Sequence, residues 1–224
     1  MTRTEVAQLI DISAVRTQHT LSDIIKTVEI AKKYRFVNVH SLPCWTADVR
    51  RLLAGEADIR AGAPVGFPGG GHTTEIKLTE AKRLIADGVQ EMDIVMNVGR
   101  FKNREYDYVL NELKQVIALA PAHVLTKVII ELNCLEDDEI EKVCELVMRS
   151  GADYIKTGTG WVPGDANIAR IAKIKRCTHG RIKVKAAGGI RTRGEFDSLF
   201  SLGVERFGIN TESALEIVES FPEA

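Results

Sequence analysis

The chain switches between two hydrophobic periods eight times, and that rhythm restricts its fold more than any other property. Short runs rich in Val and Ile, such as F-V-N-V-H (Phe36 to His40) and H-V-L-T-K-V-I-I-E-L (His123 to Leu132), alternate with longer segments whose apolar residues recur three and four apart. The first kind has the near-continuous apolar character of a strand covered on both faces. The second has the single buried stripe of an outer helix. After Thr20-Leu21-Ser22-Asp23, for example, Ile24, Ile25, Val28 and Ala31 follow at helical spacing as far as Tyr34, behind residues suited to an N-cap.

The same reading predicts strands over Gln8–Val15, Ile59–Pro68, Glu91–Val98, from Ala152, from Ile182, and over Glu205–Asn210. Helices are expected over Thr46–Leu53, Glu75–Gly88, Asn103–Leu119, Glu136–Ser150, Asn167–Cys177, Arg193–Leu202 and Ser213–Glu219. Gly151 is a glycine stop after the helix that ends at Ser150. The links are short, and no Pro/Ser-rich stretch divides residues 1–224 into two domains. Regular β-α alternation argues for a parallel sheet with helices outside. Eight such units in 224 residues fit a closed (β/α)8 TIM barrel, in one domain, better than an open doubly wound sheet.

Charge and composition exclude several partners. A formal net charge of -1 gives no footprint for nucleic acid or an anionic membrane surface. No apolar run approaches the ~20 residues of a membrane span. The N-terminal M-T-R-T-E-V-A-Q lacks the apolar core of a signal peptide, so a cytoplasmic protein is expected. Cys44, Cys134, Cys144 and Cys177 form no C-x-x-C pair and are expected as free thiols. His19, His40, His72, His123 and His179 have no metal-ligand spacing, and neither a metal nor a cofactor is expected.

In a barrel the C-terminal ends of the strands carry the chemistry. That rule selects Asp11, His40, Asp93, Glu131, Lys156 and Lys185, and demotes residues at strand starts such as Arg60, Lys183 and Glu91. Lys156 is the sharpest of them. With Tyr154 and Gly158 it takes one strand face, while Ile155 and Thr157 take the other. Pointed into a low-dielectric interior near Lys185, its amine would lose proton affinity and become a nucleophile for a carbonyl carbon. The blander reading is an ion pair of Lys156 with Glu131 or Asp93, and the two are compatible. Asp93 lies between Met92 and Ile94, which suggests an interior carboxylate able to pass protons during imine chemistry. A His40/Cys44 nucleophile pair is disfavoured, because no third group is available to orient it. His72 is either a binding residue or a polar loop residue.

Glycine-rich turns suggest a phosphate. Gly188, Gly189 and Arg191 follow the seventh strand, and Gly208, Asn210 and Thr211 close the eighth. Barrels recurrently hold phosphate there, on backbone amides and a helix N-terminus, with an arginine adding a charge-assisted contact. Gly160 in the turn after Lys156 and Asp11 at the end of the first strand complete the candidate substrate-binding set.

The motifs I-K-T-G-T-G, V-K-A-A-G-G-I-R-T, M-D-I-V-M-N-V-G and G-F-P-G-G-G-H-T-T-E are spread over most of the chain. Together they resemble the 2-deoxyribose-5-phosphate aldolase family, class I aldolases on a (β/α)8 barrel, and they stand in that family's order. The resemblance implies that Lys156 forms the Schiff base, that Lys185 perturbs it, and that Asp93 relays protons. It favours Lys185 over Lys183, a choice that strand parity leaves open. It also implies reversible cleavage of 2-deoxy-D-ribose 5-phosphate to acetaldehyde and D-glyceraldehyde 3-phosphate. The partner would be a small phosphorylated sugar, and the chain could self-associate as a dimer or tetramer. The sequence departs from the family pattern at Gly158 (serine in K-T-S-T-G), His40 (often cysteine), Leu132 (threonine) and Asn210-Thr211 (a Ser-Ser pair). Asp11-Ile12-Ser13 also stands where the family reads D-H-T or D-L-T. A relative acting on another short sugar phosphate, or a silent sugar-phosphate-binding barrel, are the alternatives.

Overall fold

The computed structural model describes residues 1–223. Its elements run α1 (Arg3–Ala7), β1 (Ile10–Ala14), α2 (Leu21–Tyr34), β2 (Asn38–Ser41), α3 (Thr46–Leu52), β3 (Arg60–Val65), α4 (Thr74–Ala86), β4 (Glu91–Val95) and α5 (Val98–Lys102). They continue α6 (Tyr106–Ile117), β5 (Leu125–Ile129), α7 (Glu139–Ser150), β6 (Tyr154–Lys156), α8 (Ile168–Thr178), β7 (Lys183–Ala187), α9 (Arg193–Ser201), β8 (Arg206–Asn210) and α10 (Thr211–Glu219). All eight strands are parallel and hydrogen-bonded in sequence order. Pairing of β8 with β1, with Asp11 opposite Gly208, closes the barrel. The (β/α)8 architecture expected from the sequence is the one observed.

Several boundaries differ from the expectation, each for a local reason. The strand expected to reach Val98 ends at Val95, because Asn97 caps a short helix by accepting a hydrogen bond from the Arg100 N–H. The helix expected over Asn103–Leu119 begins only at Tyr106, as α6. It is separated from α5 at Arg104, whose φ of 62° lies in the left-handed region. An additional helix, α1, precedes the barrel. Its capping box, Thr2 with Glu5, fixes the start, and it buries Val6 and Ala7. Gly151 ends α7 in the left-handed conformation, as expected of a glycine stop.

The apolar core lies between the barrel and its helices. Ile10, Ile12, Val39, Ala61, Met92, Ile94, Val128, Ile155, Val184 and Phe207 point outward from the strands and are buried under the helices. The residues alternating with them face inward, and there the barrel departs from the branched aliphatic filling usual for this fold. Register places Asn38, Glu91, Tyr154 and Arg206 of the even strands nearest the N-terminal end. Asp11, Gly62, Lys127 and Lys185 of the odd strands come next, and His40, Asp93, Lys156 and Gly208 lie above them. The interior is a stack of polar layers.

Candidate active site

Above the uppermost of these layers opens a cavity of about 900 Å³, at the C-terminal end of the strands. Lys156 and Lys185 stand in its floor, and Asp93 lies directly beneath them, fully buried. Lys156 Nζ donates to Asp93 Oδ2 at 2.8 Å, and Lys185 Nζ donates to the same oxygen at 2.8 Å. Lys127 Nζ holds the other oxygen, Oδ1, at 3.0 Å. Burial by itself would raise the Asp93 pKa, but the three ammonium groups outweigh it and keep the carboxyl well below the usual range. Asp93 is therefore an ionised hub.

The amine of Lys156 is the counterpart. Burial pushes it down and the Lys185 charge pushes the same way, whereas Asp93 opposes both, and the outcome is a pKa of about 8. Charge balance in the interior explains why this lysine is the one that yields. The buried members of the network, among the described residues, are four bases (Lys127, Lys156, Lys185, Arg206) and three carboxylates (Asp11, Glu91, Asp93). Shedding the proton of Lys156 brings the buried charges level, where an unbalanced one would be expensive. Lys127 goes the opposite way. Its burial is more than offset by Asp93, Glu91 and Asp11, which raise its pKa above the usual lysine value.

Asp11, expected among the substrate-binding residues, is 1% exposed and committed to cations. It accepts from Lys185 Nζ at 2.5 Å and from Arg206 at 2.6 Å. Those two, with Lys127, overcome the effect of burial and hold its pKa far below the usual carboxylate range. It thus anchors Lys185 and touches the cavity floor as a counter-ion. Glu91, demoted in the sequence, is likewise interior. It accepts from Lys127 and from Asn38 at 2.7 Å, and Arg206 reaches it at 3.3 Å. Lys127 and Arg206 were missed by sequence reasoning. A lysine inside the apolar run H-V-L-T-K-V-I-I was the signal for the first, identical in kind to that for Lys156.

The glycine turns form one wall of the cavity. Gly160, Gly188, Gly189, Arg191, Gly208, Asn210 and Thr211 all line it. Gly188 and Gly189 have φ of 91° and 79°, and a Cβ on Gly189 would sit 2.6 Å from the Ala166 amide nitrogen. Thr157 joins this loop to the one after β6, donating to the Ala187 carbonyl and accepting from the Ala187 N–H, both at 2.9 Å. Asn210 is spoken for: its side chain caps α10, accepting from the Ser213 N–H at 3.0 Å. The N-terminal end of α10, which leaves backbone N–H groups without intrahelical partners, begins in the same wall at Thr211. Arg16 and Trp161 stand at the rim, the guanidinium 5.8 Å from the ring centroid and 3.4 Å from the Gly160 carbonyl. Trp161 packs edge-on against Phe67.

Glu131 lies beside the floor with φ of 49°, receiving the Thr159 amide at 3.1 Å and the Thr159 hydroxyl at 2.5 Å. Burial raises its pKa against those hydrogen bonds. A Cβ at Gly158 would lie 2.9 Å from Glu131 Oε1, so this position has no room for the serine of the family pattern while Glu131 keeps its place. His72 is exposed and does not line the cavity. Cys44 is exposed and lies outside the cavity that His40 lines, so the disfavoured His40/Cys44 pair has no shared pocket to act in. Among the described residues no cluster of His, Cys, Asp or Glu is placed to hold a metal, and no helix is long and apolar enough to cross a membrane.

No family model matches the chain. It is 41% identical to the deoxyribose-phosphate aldolase of Klebsiella pneumoniae, over 97% of this chain and 90% of that one. Among solved structures it resembles QR15, an aldolase, at 33% identity and a TM-score of 0.89, over 96% of this chain and 95% of that one. The tetrameric deoxyribose phosphate aldolase of Aeropyrum pernix shares 25% identity with a TM-score of 0.88, over 98% and 92% of the two chains.

Proposed function

The chain belongs to the deoxyribose-phosphate aldolase family, and from that membership we propose that it cleaves 2-deoxy-D-ribose 5-phosphate reversibly through an imine on Lys156. The family makes it an enzyme, a carbon-carbon lyase of the aldolase type. The observation that carries the finer reading is the amine of Lys156, open to the cavity and with its pKa lowered to about 8 over an ionised Asp93 shared with Lys185.

The neutral amine adds to the aldehyde carbon of the open-chain sugar, and the carbinolamine loses water to give a protonated imine. Lys185, held between Asp11 and Asp93, supplies a proton to the departing hydroxyl, and Asp93 carries protons between the two amines. Lys185, left neutral by that transfer, takes the C3 hydroxyl proton as the C2–C3 bond breaks. The electron pair of that bond passes to the imine nitrogen, leaving an enamine, and D-glyceraldehyde 3-phosphate departs. Protonation of the enamine carbon and hydrolysis release acetaldehyde and restore Lys156. The amides at Gly188, Gly189 and the start of α10, with Arg191 alongside, hold the phosphate and so fix the reacting carbons against the amine. The tetramer formed by the Aeropyrum pernix relative supports self-association here too, as a dimer or tetramer.

Borohydride trapping tests this reading. Incubation with acetaldehyde or 2-deoxyribose 5-phosphate, reduction and peptide mapping should place one adduct on Lys156. Its absence, or an adduct on Lys127 or Lys185 alone, would remove the mechanism. An acetaldehyde adduct without turnover of the sugar phosphate would point to a different substrate.

A further inference from the structure

His40 is a buried histidine with nothing to bond to. It stands on β2 at 4% exposure, and neither Nδ1 nor Nε2 has a hydrogen-bond partner among the described residues. The nearest carboxylate oxygen, Asp93 Oδ2, is 3.7 Å from Nε2, beyond hydrogen-bond reach and already bonded to two lysines. The ring nevertheless has a shaped place. Its register partner on β3 is Gly62, and a Cβ there would lie 2.4 Å from Nδ1. The imidazole occupies the volume that a side chain at position 62 would take.

The same ring lines the cavity together with Lys156 and Lys185. Lys156 Nζ and His40 Nε2 approach one oxygen of Asp93, so both face the same small space above it. Burial drives the His40 pKa down against the attraction of Asp93, and Lys185 and Lys156 push it the same way, to about 3. With its pKa lowered to about 3 the ring is uncharged near neutral pH, and its N–H and lone pair suit it to hydrogen bonding rather than to accepting a proton. On a 2-deoxy sugar bound through C1 to Lys156, C2 carries no polar atom. The first hydroxyl of the bound sugar chain is on C3.

We propose that His40 is a substrate-positioning residue whose imidazole hydrogen-bonds the C3 hydroxyl, the group that loses its proton when the C2–C3 bond breaks. The inference rests on the imine at Lys156. It assigns to the strand-two position, where the family pattern often has cysteine, a fixed polar contact that selects substrates bearing a hydroxyl beside the bond to be cleaved.

Two half-reactions separate this role from a structural one. Acetaldehyde in deuterated water exchanges its methyl protons through the imine and enamine of Lys156 without any C3 hydroxyl, whereas cleavage of 2-deoxyribose 5-phosphate needs it. In His40→Leu, cleavage should fall roughly ten- to hundredfold in kcat/KM, while methyl exchange stays close to that of the parent protein. His40→Gln, which keeps a donor and an acceptor, should recover most of the cleavage. Equal losses in both reactions, unchanged cleavage in His40→Leu, or a glutamine variant no better than leucine would overturn the proposal. If the unsubstituted protein itself fails to exchange acetaldehyde, the imine reading falls and takes this inference with it. Exchange without a cleavage defect sinks the inference alone.

Discussion

Lys156 and Lys185 donate to the same atom, Asp93 Oδ2, each at 2.8 Å. Their Cα positions are register partners on β6 and β7, so the two amines are held side by side by the sheet itself. One carboxylate oxygen cannot fully compensate two ammonium groups in a buried site. Lys185 has a second carboxylate, Asp11, to pair with, whereas burial and the Lys185 charge lower the pKa of Lys156 to about 8.

A pH dependence follows directly. With its pKa lowered to about 8, Lys156 is mostly protonated below that pH and mostly neutral above it. The rate of imine formation, followed by reductive trapping at fixed acetaldehyde concentration, should rise about tenfold per pH unit below its pKa of about 8 and level off above it. A flat profile through that region would mean that proton loss from this amine does not limit the reaction.

Removing the neighbour should move that limb. Lys185→Met deletes a positive charge that disfavours protonation of Lys156 and leaves Asp93 to favour it. The acid limb of the trapping profile should move to higher pH, and the rate at neutral pH should fall about tenfold for every pH unit the limb travels. Lys185→Arg keeps the charge and should hold the limb closer to its original place. An unmoved limb in the methionine variant would separate Lys185 from the tuning of Lys156.

Gly208 gives a steric test of the same pair. A Cβ there would lie 2.9 Å from Ala187 Cβ and 3.1 Å from Lys185 Cε, so even alanine must displace the lysine stem or the end of β7. Overpacking of this kind costs ~1–3 kcal/mol. Gly208→Ala should fold, melt a few degrees lower, and lose roughly tenfold or more in kcat for cleavage, as expected when a reacting group is misplaced. Parent-like kinetics would show that the Lys185 position tolerates this shift.

Stability has a separate determinant outside the site. Lys77 on α4 is buried, donating to Glu112 of α6 at 2.6 Å and to the Val95 carbonyl at 2.9 Å. Glu112→Ala strands a buried ammonium, and chemical denaturation should register a loss of ~3–5 kcal/mol, with the trapping rate of the folded fraction unchanged. Replacing both partners, Lys77→Met with Glu112→Leu, should recover much of the loss. A cost under ~1 kcal/mol for the single variant would show that Lys77 finds water or another partner.

The sequence by itself determined the frame and singled out the amine of Lys156. Eight alternations of period required a strand-helix series, and a lysine within an apolar strand, followed by a Thr/Gly turn, marked Lys156 before any neighbour was known. Asp93 and Lys185 were legible as charges within strands, although the choice of Lys185 over Lys183 came from the family resemblance. Tertiary structure alone decided their company. Strand periodicity says which side of the sheet a residue faces, but closure and stagger of the barrel decide which side chains share a layer. That is why Lys127, Arg206 and Glu91 emerged only in the folded molecule, and why Asp11 proved to be an anchor for Lys185. It is also why His40, which the sequence marks only as a strand-end candidate, is an unpartnered ring beside Lys156: its place depends on the empty Cα of Gly62 one strand away and on Asp93 two strands away.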